Sequence, residues 1–151
     1  LSNESEDIVQ TFLPYSDFRE SVGCLDNKRL GKQRVEAYQI LNVLSGLSKG
    51  WKNHPAVRQW EGYEVLLVNY LTCCIDEWIA RGCKNTIDPT KFIFDKPLAI
   101  PWWLGYPEYH ASHRSNLLRK NPLHYGQFGW KESDDLLYVW PTKVTPIKRG
   151  E

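Results

Sequence analysis

The stretch that decides the fold runs Asp26-Asn27-Lys28-Arg29-Leu30-Gly31-Lys32-Gln33-Arg34-Val35-Glu36-Ala37-Tyr38-Gln39-Ile40-Leu41-Asn42-Val43-Leu44-Ser45-Gly46-Leu47. Asp26 is a good helix N-cap, and Ser45-Gly46 supplies a stop. With Glu36 set at zero on a helical wheel, Leu30, Ala37, Ile40, Leu41, Leu44 and Leu47 fall within an arc of about 20° to 140°. Arg29 and Gln33 lie inside that arc, and Lys32 flanks it about 40° away on the other side. A solvated helix face would put these polar groups opposite the leucines. Here the N-terminal half of the core-facing stripe is polar and its C-terminal half apolar. Charges beside an apolar wall are costly unless paired or used. Arg29, Gln33 and Glu36 are therefore either a buried network that ties helices together or the wall of a polar pocket. Lys28, Arg29, Lys32 and Arg34 add positive charge at the same helix start, where free N–H groups also favour phosphate.

Outward from this helix, a second one is expected from Pro55, a favoured first-turn residue, to Arg81-Gly82. Val57, Trp60, Glu64, Leu67, Leu71, Cys74 and Trp78 form its seam, interrupted by one charge. A third is expected from Pro107 to about Lys120, and a short helical turn around Phe18 to Val22. Periodicity is lost between Asn85 and Gly105, where Asp88-Pro89, Lys96-Pro97 and Ile100-Pro101 punctuate an aromatic-rich loop. From Asn121 onward a long aromatic tail needs a surface to cover. The expected architecture is mainly α: a compact single-domain bundle of three main helices with long aromatic-rich loops and a C-terminal tail. Residues 1–10 read as a flexible acidic lead-in, and residues 11–151 as one helical domain.

Composition bounds the function classes. The chain has 151 residues, 42% hydrophobic and 25% charged, the profile of an ordinary globular domain. Its net charge of +1 excludes a globally basic protein, so any nucleic-acid site must be a local patch. No run of about 20 apolar residues is present to cross a membrane. Cys24, Cys73, Cys74 and Cys83 form no C-x-x-C pair, and reduced thiols in a reducing intracellular compartment are expected. Seven Trp and eight Tyr are many for this length, and aromatics both fill cores and stack on bases.

Two further clusters carry polar chemistry. Residues 109–120 bring His110, His113, Arg114, Asn116, Arg119 and Lys120 together with Ser112 and Ser115, a set suited to phosphate. The same residues read equally as caps and packing. His110, His113 and His124 are a possible metal set, although no H-E-x-x-H signature is present. Lys52-Asn53-His54-Pro55 places Asn53 and His54 at a helix start, as caps or as contacts to a crossing strand.

Leu25-Asp26-x-Lys28-x-Leu30, then Glu36, then Gly50-x-Lys52-Asn53-His54-Pro55, then Arg81-Gly82 resembles bacterial members of the pyrimidine-dimer DNA glycosylase (endonuclease V type) family. Thr11-Phe12-Leu13-Pro14-Tyr15 and the block from His110 to Lys120 are similar to a bacterial and viral branch of it. The resemblance implies a compact helical fold and a glycosylase with abasic-site lyase activity, acting without cofactor or metal. It implies that a terminal α-amine attacks C1′ of the damaged nucleotide and that Glu36 assists. Duplex DNA is the implied partner, with no membrane and no obligate protein partner. By position, Arg29, Lys32 and Arg34 are its DNA contacts, and Lys28, Gln33, Asn53, His54, His110, His113, Arg114, Asn116, Arg119 and Lys120 extend the set. Because residues precede Thr11, the nucleophile is open between an amine exposed by processing near Thr11, a lysine such as Lys28 or Lys32, and water activated by Glu36. Two further readings stay open: a non-catalytic nucleic-acid-binding module, and a metal-dependent nuclease built on the three histidines.

Overall fold

The computed structural model describes residues 10–141; the acidic lead-in, apart from Gln10, and the last ten residues lie outside them. The element order is α1 (Phe18–Gly23), α2 (Asn27–Leu44), α3 (Pro55–Arg58), α4 (Glu64–Ala80), a 3-10 turn (Pro89–Lys91), α5 (Pro107–Lys120), α6 (Pro122–Tyr125) and a second 3-10 turn (Gly126–Phe128). No strand forms among the described residues. The protein is thus mainly α. Its three long helices are α2, α4 and α5, and α2 packs chiefly against α4.

α2 starts one residue after Asp26, as its pattern predicts, but the Asp26 side chain caps nothing. It is held instead by Arg29 and Tyr125. At the other end Gly46 adopts φ 86°, a left-handed conformation that lets Leu47 N–H reach back to Asn42 O at 2.8 Å.

The helix expected from Pro55 to Arg81 is two helices. His54 caps α3 by accepting Ala56 N–H at 3.0 Å. The chain then turns through residues 59–63 before α4 begins. Gln59 Nε2 and Trp60 Nε1 both donate to Thr11 Oγ1, at 3.2 and 3.0 Å, so the turn is committed to a segment far away in sequence. Gly62, at φ 95°, allows the reversal. Glu64, the charge that interrupts the seam, is buried and useful there: it accepts Gly62 N–H at 3.2 Å and Lys96 Nζ at 2.8 Å. Burial works to raise its pKa, but these bonds more than offset that and leave it below the ordinary carboxylate value.

The core surrounds a stretch that is neither helix nor strand. Gln10, Thr11, Phe12, Leu13 and Pro14 are all buried. A buried backbone must find partners for its N–H and C=O groups, and here side chains supply them. Gln33 Nε2 donates to Gln10 O at 2.6 Å and Gln33 Oε1 accepts Phe12 N–H at 2.7 Å. Tyr70 Oη donates to Phe12 O at 2.9 Å, and Leu13 N–H donates to His113 Nδ1 at 2.8 Å. His110 Nδ1 meets Leu13 O at 2.7 Å, and Arg114 donates to Pro14 O at 2.7 Å. Gly105 N–H donates to His110 Nε2 at 2.8 Å, which puts the His110 proton on Nδ1. α2, α4 and α5 therefore each grip the same five residues.

α5 holds the tail with its remaining polar groups. Ser115 Oγ accepts Leu136 N–H at 2.9 Å, Asn116 Nδ2 donates to Leu136 O at 3.1 Å, and Arg114 pairs with Glu132 at 2.7 Å. The aromatic tail thus covers α5, as its composition predicts. Cys24, Cys73, Cys74 and Cys83 are unbridged thiols. No helix among the described residues is long and apolar enough to cross a membrane.

His113 gives a testable acid response. Complete burial is the main force that lowers its pKa, from 6.5 to about 3, with His110 and Arg114 adding to it. Burial likewise lowers that of His110. The unfolded imidazole takes a proton below about pH 6.5, whereas the folded one refuses it until about pH 3. Their contribution is therefore fully present above pH 6.5 and is lost as pH falls toward 3. Urea melts at pH 7 and pH 5, above the range of the paired carboxylates, are expected to show this loss. His113→Asn, which keeps an acceptor for Leu13 N–H, should be less stable overall and lose less between those two pH values.

Candidate active site and nucleic-acid interface

One face of α2 carries Lys28, Arg29, Lys32, Gln33 and Glu36, spaced by three and four residues, so all five project the same way. They line a cavity of about 70 Å³ together with Gln10, Phe12 and Lys120. By that measure there is room for several waters, so the cavity is larger than a packing void. As the wheel predicts, Arg29, Gln33 and Glu36 turn toward one shared cavity. A second, more open depression over Gly31, Val35 and Trp78 shares Lys28, Lys32 and Glu36 with it.

Glu36 is the acceptor at the centre. It is 7% exposed. Its Oε1 accepts Gln10 N–H at 3.3 Å and Gln33 Nε2 at 3.4 Å, and its Oε2 faces Lys32 Nζ at 3.9 Å. Gln33, 1% exposed, has both ends of its amide engaged and cannot rotate without breaking the grip on residues 10–12. The carboxylate is thus fixed by neutral donors on one oxygen and left open to a lysine on the other.

Arg29 is oriented from behind. Its guanidinium donates to both oxygens of Asp26, at 3.4 and 3.3 Å, and Tyr125 Oη donates to Asp26 Oδ1. Burial pushes the Asp26 carboxyl up, but Tyr125 and Arg29 outweigh it, so the group lies below its ordinary value and stays ionised. The chain Tyr125–Asp26–Arg29 carries α6 to the cavity wall. Lys120, the last residue of α5, also lines the cavity. Four cations therefore line one cavity in a protein whose net charge is +1.

The other sequence-selected residues lie elsewhere. Arg34 projects from another side of α2, donates to Asn85 at 3.0 Å and covers the Trp78 ring at 4.9 Å. His54 caps α3 and packs on Trp140, and Asn53 lines a separate depression with Lys52 and Arg58. His110, His113, Arg114 and Asn116 are turned inward, onto residues 13–14 and the tail. His110 and Arg114, expected in one DNA-contact set with the α2 cations, do not line the cavity with them: α5 reaches it through Lys120 instead. Arg119 is exposed and donates to Asn116. His124 meets Cys24 O at 2.8 Å, and no cluster of three metal-ligating side chains occurs among the described residues.

The sequence did not mark Gln10, Phe12 or Asp26 as parts of the site, and Tyr125, an aromatic suited to base stacking, instead holds Asp26. Asp26 and Arg29 stood at helical i,i+3 spacing, but the N-cap reading concealed the pair. No local signal marked Gln10 or Tyr125, whose roles depend on contacts across 26 and 99 residues.

A cationic cavity around a fixed carboxylate on a small helical scaffold suits chemistry at a sugar of DNA. Residues 9–90 match the sequence model of the pyrimidine dimer DNA glycosylase family, more than half of the chain. The protein belongs to that family, whose class is DNA repair by base excision. The match spans α1 to α4 and ends before α5, so of the residues that line the cavity only Lys120 lies outside it. No curated protein and no solved structure matches the chain.

Proposed function

We propose that the α2 cavity is the active site of a glycosylase that removes a damaged pyrimidine from duplex DNA and then opens the abasic sugar. The observation that carries this is the near-buried Glu36 carboxylate, held by Gln33 and Gln10 N–H and facing Lys32 among four cations. Lys28, Arg29 and Lys120 bind the phosphates that flank the lesion. Glu36 stabilises the positive charge that develops on the sugar as the glycosidic bond lengthens. Lys32, half exposed beside it, is the amine. Its ammonium loses a proton to solvent at the cavity, and the freed pair attacks C1′ while Glu36 stays ionised. The glycosidic electron pair leaves with the base nitrogen, which takes up a proton. The C1′–O4′ bond then breaks, its pair and a proton going to O4′, and leaves an iminium between Lys32 and C1′. Loss of a C2′ proton then expels the 3′ phosphate, and water releases the lysine.

A second reading has a specific observation in its favour. The backbone nitrogen at Glu36 is that of Gln10, whereas Thr11 N–H is spent on Gln10 Oε1 at 2.9 Å. A chain processed to begin at Gln10 would present its α-amine to Glu36. Borohydride reduction during reaction with a dimer-bearing duplex, followed by peptide mapping, separates the two. An adduct on Lys32 is expected, and it should vanish in Lys32→Met; an adduct on residue 10 selects the second reading. No adduct alongside continued base release would leave Glu36-activated water as the route.

Phosphate binding makes a further prediction. If about five or six phosphates are contacted, the log–log salt slope of affinity should be roughly −5 on duplex DNA. Lys120→Ala should make it shallower by about one unit, whatever the sequence. Arg119, Arg34, Asn53 and His54 are assigned the outer contacts to the duplex, while His110, His113, Arg114 and Asn116 act by holding the frame. The unbridged cysteines support a reducing compartment.

A further inference from the structure

Gln10 lines the cavity, is 3% exposed and has only half of its carboxamide engaged. Its Oε1 accepts Thr11 N–H at 2.9 Å, which fixes the orientation of the amide. Its Nε2 is shielded from water and has no hydrogen-bond partner among the described residues. An amide donor buried without an acceptor forfeits its bonds to water and gains none in return. Every other amide and carboxylate oxygen on this wall is occupied: Gln33 Oε1 by Phe12 N–H and Tyr70, and Glu36 by Gln10 N–H, Gln33 and Lys32. No oxygen among the described residues reaches Gln10 Nε2, and a carbonyl brought into the cavity supplies one.

We propose that Gln10 is a specificity-determining residue whose Nε2 donates to a ring carbonyl of the damaged pyrimidine. This rests on reading the cavity as the active site. Pyrimidine rings carry a carbonyl at C2, and thymine carries another at C4. Saturation of C5–C6 in a dimer weakens stacking but leaves these acceptors in place. A donor to such a carbonyl recognises a pyrimidine ring whether or not C5–C6 is saturated, and its residue is held beside the carboxylate by its own backbone N–H. A ligand without that carbonyl leaves the donor buried and unpaired, which is the strongest form of hydrogen-bond discrimination.

The test compares two duplexes, one with a single pyrimidine dimer and one with a tetrahydrofuran abasic analogue that has no base. Gln10→Leu removes the donor. Gln10→Met removes the donor from a side chain of similar length and adds no charge, and it decides the matter if the leucine variant does not fold. Single-turnover base release from the dimer duplex is expected to fall about tenfold or more in each variant. Affinity of Gln10→Leu for the abasic duplex should stay within about twofold of wild type, since no carbonyl is lost there. Unchanged release in a folded variant overturns the proposal, and so does an equal loss of affinity for both duplexes. If the wild-type protein itself releases no base, the active-site reading falls. If the wild type is active and the variants match it, Gln10 alone is wrongly assigned.

Discussion

Glu36→Gln is expected to bind dimer-bearing duplex as tightly as wild type or more tightly, while base release falls by about a hundredfold or more. The substitution is nearly isosteric. An amide oxygen still accepts Gln10 N–H and Gln33 Nε2, so the grip of α2 on the 10–14 segment is kept. What disappears is a negative charge 3.9 Å from Lys32, in a cavity that must attract phosphate and stabilise a cationic sugar. Removing an anion beside DNA favours binding; removing it beside the developing sugar cation disfavours reaction. Affinity and single-turnover rate measured on one duplex at several salt concentrations separate these effects. Loss of both together with a drop in thermal stability would make the carboxylate a structural tie.

Gln33→Leu is expected to be the most destabilising single change at the site, on the order of 3–5 kcal/mol. It strands Phe12 N–H and Gln10 O, both buried, and takes one acceptor from Tyr70 Oη. Leucine fills similar space, so the loss reads the polar network rather than a cavity. The substitution also frees Gln10 and Phe12 from α2 and so dissolves one wall of the active site. Urea denaturation at pH 7 checks the figure. A change below about 1 kcal/mol would mean that water replaces Gln33 at little cost.

These two residues show how far the sequence could be read. Their placement inside a leucine arc predicted both the inward turn and the shared cavity, because helical geometry converts spacing into direction. The same geometry placed α5 to the residue at its N-terminus. It failed between Gln59 and Tyr63, where the seam continues through a break; the turn there is dictated by Thr11, a contact that periodicity does not encode. It also failed for His110, His113, Arg114 and Asn116. Their composition suits phosphate, but the same donors suit the backbone of residues 13–14 and the tail, and only the tertiary fold decides between them. Gln10 belongs to this class as well. Counted with a flexible lead-in, it is instead buried against α2, since its amide nitrogen is needed by Glu36.

The α2 cavity as the place of base excision is tested most directly on a duplex carrying one cyclobutane pyrimidine dimer. Wild-type protein in excess is mixed with it, and base release is counted as alkali-labile abasic sites, with undamaged duplex and the Glu36→Gln variant run alongside. Release from the dimer strand by wild type, none from undamaged DNA and a Glu36→Gln trace near background is the predicted result. No release by wild type, or equal release by the two proteins, would contradict it.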